Sequence, residues 1–529
     1  MGRAVGIDLG TSYSSVAAMI EGKPVVLGDA EGVLAHPSIV YFPEEGEPLV
    51  GVRAAEEMAS DPAHGVASAK RLIGQKFDSP AVRVATASAA YAIREAPNGF
   101  PILTVRGRDY AVPQISAMIL GHLKEVAERR LGETIESAVV TVPANFTDPQ
   151  RESTRQAARI AGLEVMRLVS EPTAAALAFG YGKEADEYLS VYDFGGGTFD
   201  VTLLHLSGRV FHVLATGGDS FLGGDDFDAA LASYAAEQFR RETGVDVRTR
   251  AVEWQRLLFV AEKAKRALST KKAINVRLHE VAHLPTGPTD LRFGITRDQF
   301  NVLGMDLVQR SFDICDTVLT DARLNVAALQ GLVLVGGCTN IPLVRQAAEH
   351  YFGRTARSGI SPEYAVAVGA AIQAAALSAP APKSASAPPS SLLLDVVPKS
   401  VGIATAGGFV EPIIRRGTPI PAQESRVYST SRDGQTQIRI QIHQGEGLRI
   451  DENVLLGEFV VDGLPAAPAG WIDVEVIFEI DTNGLLNVTA RDLRSGKLCS
   501  GQVHVGAELD EAQVAQHAAR HRELRGGRK

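Results

Sequence analysis

Cysteine is scarce in this sequence. Three cysteines occur in 529 residues, and Cys315, Cys338 and Cys499 are too far apart to form a metal-ligand motif. An odd and scattered set is also a poor framework for disulfide bonds, which stabilise many small secreted domains. The composition therefore predicts a reducing compartment, and we expect the protein to be cytoplasmic.

Positive charge is not in excess, and long apolar runs are lacking. Lys and Arg number 53 against 62 Asp and Glu, which gives a formal net charge of −9. Because a nucleic-acid-binding surface must be basic to meet phosphates, we expect no nucleic-acid partner. No apolar run approaches the length that spans a bilayer, and no basic and then apolar leader opens the chain, so we expect no membrane association.

Two segments of the chain resemble each other. Residues 7–13 (IDLGTSY) and 192–200 (YDFGGGTFD) each follow a β-rich stretch and combine Asp, a hydrophobic residue, Gly and Thr. Glycine lets backbone amides approach an anion, and successive amides in a turn form an anion-binding concavity. Asp8 and Asp193 stand where the strands end and can face one metal–phosphate unit, since Mg²⁺ keeps most of its waters and needs one or two carboxylates. Either segment alone is typical of a plain hairpin turn, but the pair predicts a nucleotide held between two related half-domains.

The composition divides the chain into regions. Residues 1–377 alternate strand-like segments, such as 137–142 and 331–335, with helix-like segments, such as 149–160 and 171–180. This alternation predicts an α/β domain with helices packed on a mixed sheet. Residues 378–391 are nearly all Ala, Pro and Ser, which predicts an extended linker. The linker region, 378–395, ends in Leu-Leu-Leu-Asp, which we interpret as either a docking element or the first strand of the next domain.

The remainder of the chain has a β pattern and then one helix. Residues 437–442 and 473–480 alternate polar and apolar side chains, and Asn-Gly within 481–484 is a hairpin signal. We therefore predict a compact antiparallel β-sandwich over residues 396–506. The last region, residues 507–529, contains one short polar helix, predicted over 509–524, and a frayed end from Gly526.

These motifs make the chain resemble the 70-kDa heat-shock chaperones of the bacterial DnaK type. The likeness rests on strings at 7–11 (IDLGT), 70–74 (KRLIG), 171–178 (EPTAAALA), 193–200 (DFGGGTFD) and 222–228 (LGGDDFD). It implies an α/β actin-like nucleotide-binding domain, with the fold of sugar kinases and heat-shock ATPases, followed by an antiparallel β-sandwich peptide-binding domain. It also implies that the helical lid of the relatives is mostly absent here.

The resemblance implies an ATPase site that is slow and stimulated by partners. The implied catalytic residues are Lys70, Glu171, Asp193, Thr198 and Asp200. Lys70 would contact the γ-phosphate and attacking water, Glu171 would orient water, and Asp200 would take part in proton handling. Asp8 and Asp193 would hold Mg²⁺ through water. Without the resemblance, Lys70 would be taken for a surface lysine and Glu171 for an acid favoured by a helix dipole.

The implied cofactors are ATP or ADP with Mg²⁺, and K⁺ is a further candidate because Tyr13 matches a residue that contacts phosphate or a monovalent cation in relatives. The implied cofactor-binding residues are Asp8, Gly10, Thr11, Ser12, Tyr13, Gly195, Gly196, Gly197, Thr198, Gly223, Gly224, Glu262, Lys265, Arg266, Ser269, Gly336, Gly337, Asn340 and Glu363. Glu262, Lys265 and Ser269 share one helical face, which without the family would be read as a solvated surface. Asn340 stands where relatives usually have an arginine against adenine, so we expect weaker nucleotide affinity than in a typical relative.

The resemblance also implies a peptide cleft and a coupling route. The implied peptide-binding residues are Ile403, Thr405, Ala406, Tyr428, Ser429, Ser431, Ile438, Ile440 and Val474, several of which fit equally well as sandwich core. Ala406 and Ser431 are small where relatives arch over the peptide, so we expect weak retention. The implied allosteric residues are Pro143, Arg151, Arg167, Leu392, Leu393, Leu394 and Asp395. Because the linker is unusually long, we expect weaker stimulation of hydrolysis by peptide.

The function that the sequence favours is an ATP-dependent chaperone that binds extended apolar segments of unfolded proteins. Its implied partners are client peptides, a J-domain co-chaperone and a nucleotide exchange factor. The alternative is a specialised paralog with weak ATPase that acts as a client-specific peptide-binding adaptor. A sugar kinase or an actin-like filament protein shares the nucleotide fold, but a kinase has no use for the β-sandwich and a filament protein should lack the linker leucines.

Overall fold

The computed structural model describes residues 3–181, 185–285, 287–379, 392–405, 407–494, 498–499 and 508–526. The strands of the N-terminal part are β1 (Val5–Asp8), β2 (Tyr13–Ile20), β3 (Lys23–Leu27), β4 (His36–Pro37), β5 (Val40–Tyr41), β6 (Leu49–Val50), β7 (Gly65–Val66), β8 (Ala92–Glu95), β9 (Pro101–Val105), β10 (Arg108–Ala111), β11 (Ser137–Val142), β12 (Glu164–Ser170), β13 (Ala185–Phe194), β14 (Phe199–Gly208), β15 (Val210–Asp219), β16 (Ala273–Leu284), β17 (Gly287–Thr296) and β18 (Gly331–Val335).

The helices of the same part are α1 (Val52–Met58), α2 (Pro80–Ser88), α3 (Val112–Leu131), α4 (Asp148–Ile160), α5 (Glu171–Gly180), α6 (Gly224–Thr243), α7 (Ala251–Thr270), α8 (Arg297–Asp321), α9 (Pro342–Phe352) and α10 (Ala365–Ser378). After α10 the chain forms β19 (Leu392–Leu394), which joins a sheet of the N-terminal part. The C-terminal part contains β20 (Val401–Thr405), β21 (Phe409–Ile414), β22 (Ala422–Ser429), β23 (Ile438–Gln444), β24 (Val454–Val461), β25 (Asp473–Ile480), β26 (Leu486–Asp492), β27 (Leu498–Cys499) and α11 (Glu511–Gly526). None of the helices within the described ranges is long and apolar enough to cross a membrane.

Two sheets of the N-terminal part repeat one topology. The first has the order β12-β11-β1-β2-β3, and the second has the order β18-β13-β14-β15-β19. In each, a hairpin (β1–β2 or β13–β14) pairs through its first strand with a parallel neighbour, β11 or β18. Each of the two similar sequence segments forms the turn of one of these hairpins. The repeated motif predicted from the sequence is therefore present as two related half-domains.

Two alanine-rich helices lie between the sheets. Helix α10 packs on the first sheet, where a Cβ added at Gly6 of β1 would lie 2.0 Å from the backbone nitrogen of Ala371. It also crosses α5, since a Cβ at Gly369 would lie 1.6 Å from the carbonyl oxygen of Ala174. Backbone contacts this close leave no room for a Cβ atom, so both crossings require glycine, at Gly6 and at Gly369.

The C-terminal part contains two four-stranded antiparallel sheets, with the orders β21-β20-β23-β24 and β22-β25-β26-β27. One buried cluster contains residues from both, including Ile442 and Phe459 of the first and Val476 and Phe478 of the second. The two sheets therefore face each other across a shared core, as expected of a sandwich. The turn predicted at 481–484 joins β25 to β26, with the amide of Gly484 donating to the carbonyl of Asp481 at 3.0 Å.

The predicted elements agree closely with the observed ones. The strands at 137–142, 331–335 and 473–480 have the predicted bounds, while helix α4 begins one residue before the predicted 149. The C-terminal helix begins at Glu511 and still includes Gly526, contrary to the expectation of fraying at Gly526, and residues 527–529 lie outside the described residues. Most of the Ala-Pro-Ser linker, residues 380–391, lies outside the described residues.

The leucines after the linker belong to the N-terminal part. Strand β19 pairs in parallel with β15, with Leu392 opposite Val210, Leu393 opposite Phe211 and Leu394 opposite His212. Leu393 is buried in the cluster of side chains that includes Phe211. Of the two interpretations of these leucines, the pairing fits the docking element, because β19 extends the second sheet and not the sandwich.

Candidate functional site

A cavity of about 320 Å³ is lined by both hairpin turns and by the loops around them. The sequence-predicted residues that line it are Asp8, Gly10, Thr11, Ser12, Tyr13, Lys70, Glu171, Asp193, Gly195, Gly196, Thr198, Glu262, Lys265, Arg266, Ser269, Gly336, Gly337, Asn340 and Glu363. The other predicted nucleotide-site residues, Gly197, Asp200, Gly223 and Gly224, do not line it. The structure thus gathers residues from seven separate stretches of the chain around one space.

Sequence reasoning missed part of this lining. The additional residues are Ala35, Val335, Cys338, Ile341, Pro362 and Val366. Val335 and Cys338 directly flank the predicted Gly336-Gly337, so extending that motif by one residue on each side would have included them. Ala35 and Val366 carry no chemical signal, because an apolar side chain becomes a cavity wall only through the fold.

The glycines of the second turn are required by close packing. A Cβ at Gly196 would lie 2.0 Å from the hydroxyl oxygen of Ser12, and one at Gly223 would lie 2.6 Å from the Cα of Gly197. Gly224 supports the same turn from behind, since its amide donates to the carbonyl of Gly195 at 3.0 Å. Gly197, Gly223 and Gly224 therefore shape the turn and do not contact the cavity.

Acidic groups and one ammonium occupy the inner end of the cavity. Lys70 lies on a short 3-10 turn, Ala69–Arg71, is 6% exposed, and donates to the carboxylate of Glu171 at the start of α5. Asp193 and Asp200 are opposite residues on the paired strands β13 and β14. Since opposite residues point to the same face of a sheet, the strand pairing brings these two carboxyl groups together.

The three aspartates at this end, Asp8, Asp193 and Asp200, have raised pKa values. Burial, and then the charge of Glu171, raises the pKa of Asp8 to about 7, against the lowering effect of Lys70. Burial is also the largest cause of the raised pKa values of Asp193 and Asp200, followed in both by Glu171. With four acids around one ammonium, the site has an excess of negative charge that a bound cation would balance.

This donor set fits Mg²⁺ held through water. Among the described residues, no group of three or more His, Cys, Asp or Glu side chains is placed to ligate a metal directly. Mg²⁺ retains several waters and binds one or two carboxylates together with substrate phosphates, so direct multidentate ligation is not needed. Asp8 and Asp193 are the cavity-lining aspartates that can serve it.

The outer wall of the cavity is formed by α7 and the turn after β1. Tyr13 donates its hydroxyl to Glu262 at 3.0 Å, and the Arg266 guanidinium lies 4.7 Å from the centre of the Tyr13 ring. Burial, and then Glu262, raises the pKa of Tyr13 to about 12. The Lys265 ammonium donates to the carboxylate of Asp228 at 2.7 Å. The predicted face of α7, with Glu262, Lys265 and Ser269, thus lines the cavity.

The opposite wall is polar and open. The side-chain amide of Asn340 donates to the carboxylate of Glu363 at 3.3 Å. Gly337 lines the cavity beside them, and a Cβ added there would meet no other described atom within 4 Å. The space next to Gly337 is therefore free for a ligand, as a nucleoside between this wall and α7 would require.

Comparison with known families agrees with this geometry. The family model described as Hsp70 protein matches residues 4–525, nearly the whole chain. The chain belongs to the Hsp70 family. This family consists of chaperones that bind and hydrolyse ATP, and its nucleotide is accompanied by Mg²⁺.

Arg151 connects the two parts of this Hsp70 chain. Its guanidinium donates to the carbonyls of Ala144 and Phe146, in the turn that follows Pro143, and to the carbonyl of Asn483 in the sandwich at 3.2 Å. The same sandwich residue accepts a hydrogen bond from the amide of Leu168 at 2.9 Å. The predicted relay residues Pro143 and Arg151 therefore lie at the contact between the two parts.

The predicted partners Arg167 and Asp395 are electrostatic neighbours. Burial raises the pKa of Asp395, while Arg151 and then Arg167 lower it. Among the described ion pairs, none joins Arg167 directly to Asp395 within 4 Å. The carboxylate of Asp395 accepts from the amide of Val396 at 2.9 Å, and its backbone carbonyl accepts from the amide of Ile420 at 2.9 Å.

Two further contacts between the parts were not predicted from the sequence. The buried carboxylate of Asp148 accepts from the amide of Leu486 at 2.7 Å and from the side chain of Gln444 at 3.1 Å. Arg416 reaches from the sandwich to the carboxylate of Asp321 at 2.5 Å. From the sequence, Asp148 is expected only to be an acid in the first turn of a helix. Its hydrogen bonds to the sandwich are visible only in the fold.

Four of the nine predicted peptide-binding residues of this Hsp70 chain are buried. Ile403, Ile438, Ile440 and Val474 are all less than 9% exposed and belong to the core shared by the two sheets. Tyr428 packs against that core, and its buried hydroxyl has no hydrogen-bond partner among the described residues. Thr405, Ser429 and Ser431 are at least partly exposed, and Ala406 lies outside the described residues.

Proposed function

We propose that this protein is an ATP-dependent chaperone that couples ATP hydrolysis in the N-terminal cavity to binding of extended apolar peptides by the β-sandwich. The observation that carries the proposal is the acid and ammonium cluster at the inner end of the cavity, joined through Arg151 to the sandwich. Phosphoryl transfer needs positioned positive charge and oriented water more than covalent chemistry, and this cluster provides groups for both.

In the proposed reaction, Lys70 provides the positive side chain nearest the transferred phosphoryl group. Its pairing with Glu171 fixes the ammonium in a buried setting, where it stabilises developing charge more strongly than in water. Glu171 and Thr198 line the cavity and orient the attacking water, and Asp200, buried beside Asp193, takes part in handling its proton. Mg²⁺, held through water by Asp8 and Asp193, would neutralise phosphate charge. Thr11, Ser12 and the glycine turns offer hydroxyls and amides to the phosphates.

The coupling follows from the shared contacts. Arg151 ties the turn after Pro143 to the sandwich, and the nearby Asp148 adds two more hydrogen bonds across the same boundary. A change at the phosphate end that moves this turn would therefore move the sandwich. Tyr428, with an unpartnered hydroxyl, is the group we expect to bond the main chain of a bound peptide.

The proposed function is tested by single-turnover hydrolysis of radiolabelled ATP, with and without an extended apolar peptide. We expect Mg²⁺-dependent hydrolysis, a peptide-dependent change in rate, and loss of peptide binding in Val474→Asp. The matched control is Val427→Asp, which places the same charge at an exposed position of the neighbouring strand. Hydrolysis that is independent of Mg²⁺, or peptide binding unaffected by Val474→Asp, would contradict the proposal.

A second candidate is a client-specific adaptor with weak ATPase. The observation that favours it is Asn340, which faces Glu363 where an arginine is usual, on a wall that then offers less to adenine. A refolding assay with a J-domain co-chaperone and an exchange factor separates the candidates. Recovery of several denatured enzymes supports the chaperone, whereas ATP-dependent binding of one client without recovery supports the adaptor.

A further inference from the structure

Arg297, the first residue of helix α8, binds the end of helix α7. Its Nε donates to the carbonyl of Leu268 at 2.8 Å. Its Nη2 donates to the carbonyl of Ser269 at 3.3 Å and to that of Lys271 at 3.0 Å. One planar guanidinium therefore covers three carbonyl oxygens at the end of the helix whose face lines the nucleotide cavity.

Helix α7 lacks a basic side chain in its last turn. The last four carbonyls of a helix have no amide partner within the helix, and a positive charge near them is favoured by the helix dipole. Lys271, at the C-cap, has an extended backbone in place of the left-handed glycine that often ends a helix. Arg297, 28 positions after Ser269, provides donors to two of the four carbonyls, those of Leu268 and Ser269.

Ser269 connects this capped end to the cavity. It lines the cavity together with Glu262 and Lys265, which lie one to two turns earlier on the helix. Leu268 is 1% exposed and belongs to a buried cluster that includes Phe300 of α8. The last turn of α7 is thus held on its inner side by the core and at its end by Arg297. Loss of the guanidinium would therefore free the peptide unit of Ser269 without opening the core.

The preceding turn of α7 has an anchor of its own. Lys265 donates to the carboxylate of Asp228 at 2.7 Å and to the carbonyl of Gly224 at 3.0 Å. Both partners belong to α6, which begins beside the second glycine turn. The inner end of the cavity therefore does not depend on Arg297, and the effect of Arg297 is confined to the end that carries Ser269.

Arg297 is itself fixed by its neighbours. Its backbone amide donates to the carbonyl of Lys272 at 2.8 Å. The hydroxyl of Thr296, the N-cap of α8, accepts from the amide of Gln299 at 3.2 Å, and Thr296 pairs with Ala273 across β16 and β17. The guanidinium therefore extends from a backbone that is anchored on both sides.

We propose that Arg297 is a positioning residue for the nucleoside, because it holds the Ser269 hydroxyl where that group can bond to the nucleoside. This role rests on the proposed function, since it requires that ATP and ADP occupy the cavity. Arg297 does not line the cavity, so it acts only through the end of α7.

The test measures ADP affinity by isothermal titration calorimetry with Mg²⁺ present, and single-turnover hydrolysis at saturating ATP, in the full chain. The variants are Arg297→Ala and Arg297→Lys, each made in the parent and in Ser269→Ala. The matched control is Arg292→Ala, which removes an exposed arginine of β17 that pairs with Asp290 at 3.3 Å. Circular dichroism establishes that each variant is folded.

We expect Arg297→Ala to weaken ADP binding about tenfold, since charge-assisted hydrogen bonds to the end of α7 are lost and Ser269 is free to move. Arg297→Lys should recover part of the affinity, because a compact ammonium keeps the charge but cannot span three carbonyls. The single-turnover rate at saturating ATP should stay within about twofold of the parent, because the inner end is unchanged. In the Ser269→Ala chain, Arg297→Ala should weaken binding by no more than about twofold further.

Unchanged ADP affinity in Arg297→Ala, or an equal loss in Arg292→Ala, would overturn this role. A further loss of about tenfold in the Ser269→Ala chain would also overturn it, since a general loss of stability acts whether or not the hydroxyl is present. If Arg297→Ala does not fold, Arg297→Lys should weaken ADP binding about threefold, and parent-like affinity would overturn the role. A parent chain that binds ADP without hydrolysing ATP would overturn the proposed function and not the role of Arg297, whereas one that does not bind ADP would overturn both.

Discussion

Replacing Asn340 by arginine should strengthen nucleotide binding. Arg266 already lies over the Tyr13 ring on one wall, and Asn340 occupies the opposite wall with only an amide to offer. A guanidinium stacked on an aromatic ring contributes about 0.5–2 kcal/mol, which corresponds to roughly a 2–30-fold gain in affinity. The hydrogen bond from Asn340 to Glu363 would be lost, but an arginine can replace it with a charge-assisted one to the same carboxylate.

Isothermal titration calorimetry with ADP and with ATP measures this gain directly. Asn340→Lys is the matched control, because it adds the same charge without the planar group that stacks, and it should give a smaller gain. Asn340→Gln keeps the amide and should leave the affinity unchanged. Equal affinities in the parent and Asn340→Arg would refute the view that this wall limits binding, and equal gains from Lys and Arg would reduce the effect to charge alone.

Further predictions concern the reaction, the domain contact and pH. Lys70→Ala should lower single-turnover hydrolysis by about 10²–10³-fold while nucleotide binding measured by calorimetry persists, since the variant removes the positive charge but not the cavity; equal rates would exclude the proposed role of Lys70. Asp148→Ala should weaken docking of the sandwich by about 1–3 kcal/mol for each partner left unpaired, and Leu393→Asp should do the same by placing a charge in a buried cluster. Distances between spin labels in the two parts measure docking, and an unchanged distance distribution would contradict both expectations. Burial raises the pKa of Glu508 from 4.5 to about 8, with Lys76 as a nearby opposing charge, so the bound C-terminal segment retains a proton that the released segment gives up. Its binding should therefore weaken as pH rises from about 4.5 to about 8, at up to about 1.36 kcal/mol per pH unit, and change little above pH 8. Protection factors of α11 measure this effect, and Glu508→Gln should abolish the pH dependence.

The sequence predicted the elements with strong local signals. The strand at 473–480 alternates polar and apolar residues, and the hairpin turns combine aspartate, glycine and threonine, so their form follows from local geometry. The face of α7 that carries Glu262 follows equally from helical periodicity. The peptide residues were harder, because Ile438 and Val474 have the same pattern whether they line a cleft or fill a core.

Contacts that join distant parts of the chain left no such signal. Nothing in the sequence distinguishes Glu508 and Asp148 from other acidic residues. Only the fold places backbone amides where they donate hydrogen bonds to these two carboxylates. The leucines at 392–394 allowed two interpretations, since a short apolar strand fits any sheet edge with free hydrogen-bonding groups. In the structure, these leucines form β19, which pairs with the edge of β15.

The sequence by itself determined the family, the two similar hairpin turns and the order of the α/β part and the β-sandwich, because these depend on glycine conformations, carboxylates and periodicities encoded within a few residues. The tertiary structure decided which acids share one ammonium, how far burial shifts their pKa values, and which groups connect the cavity to the sandwich. These properties depend on distance and on exclusion of water between residues that lie hundreds of positions apart, and neither quantity exists until the chain has folded.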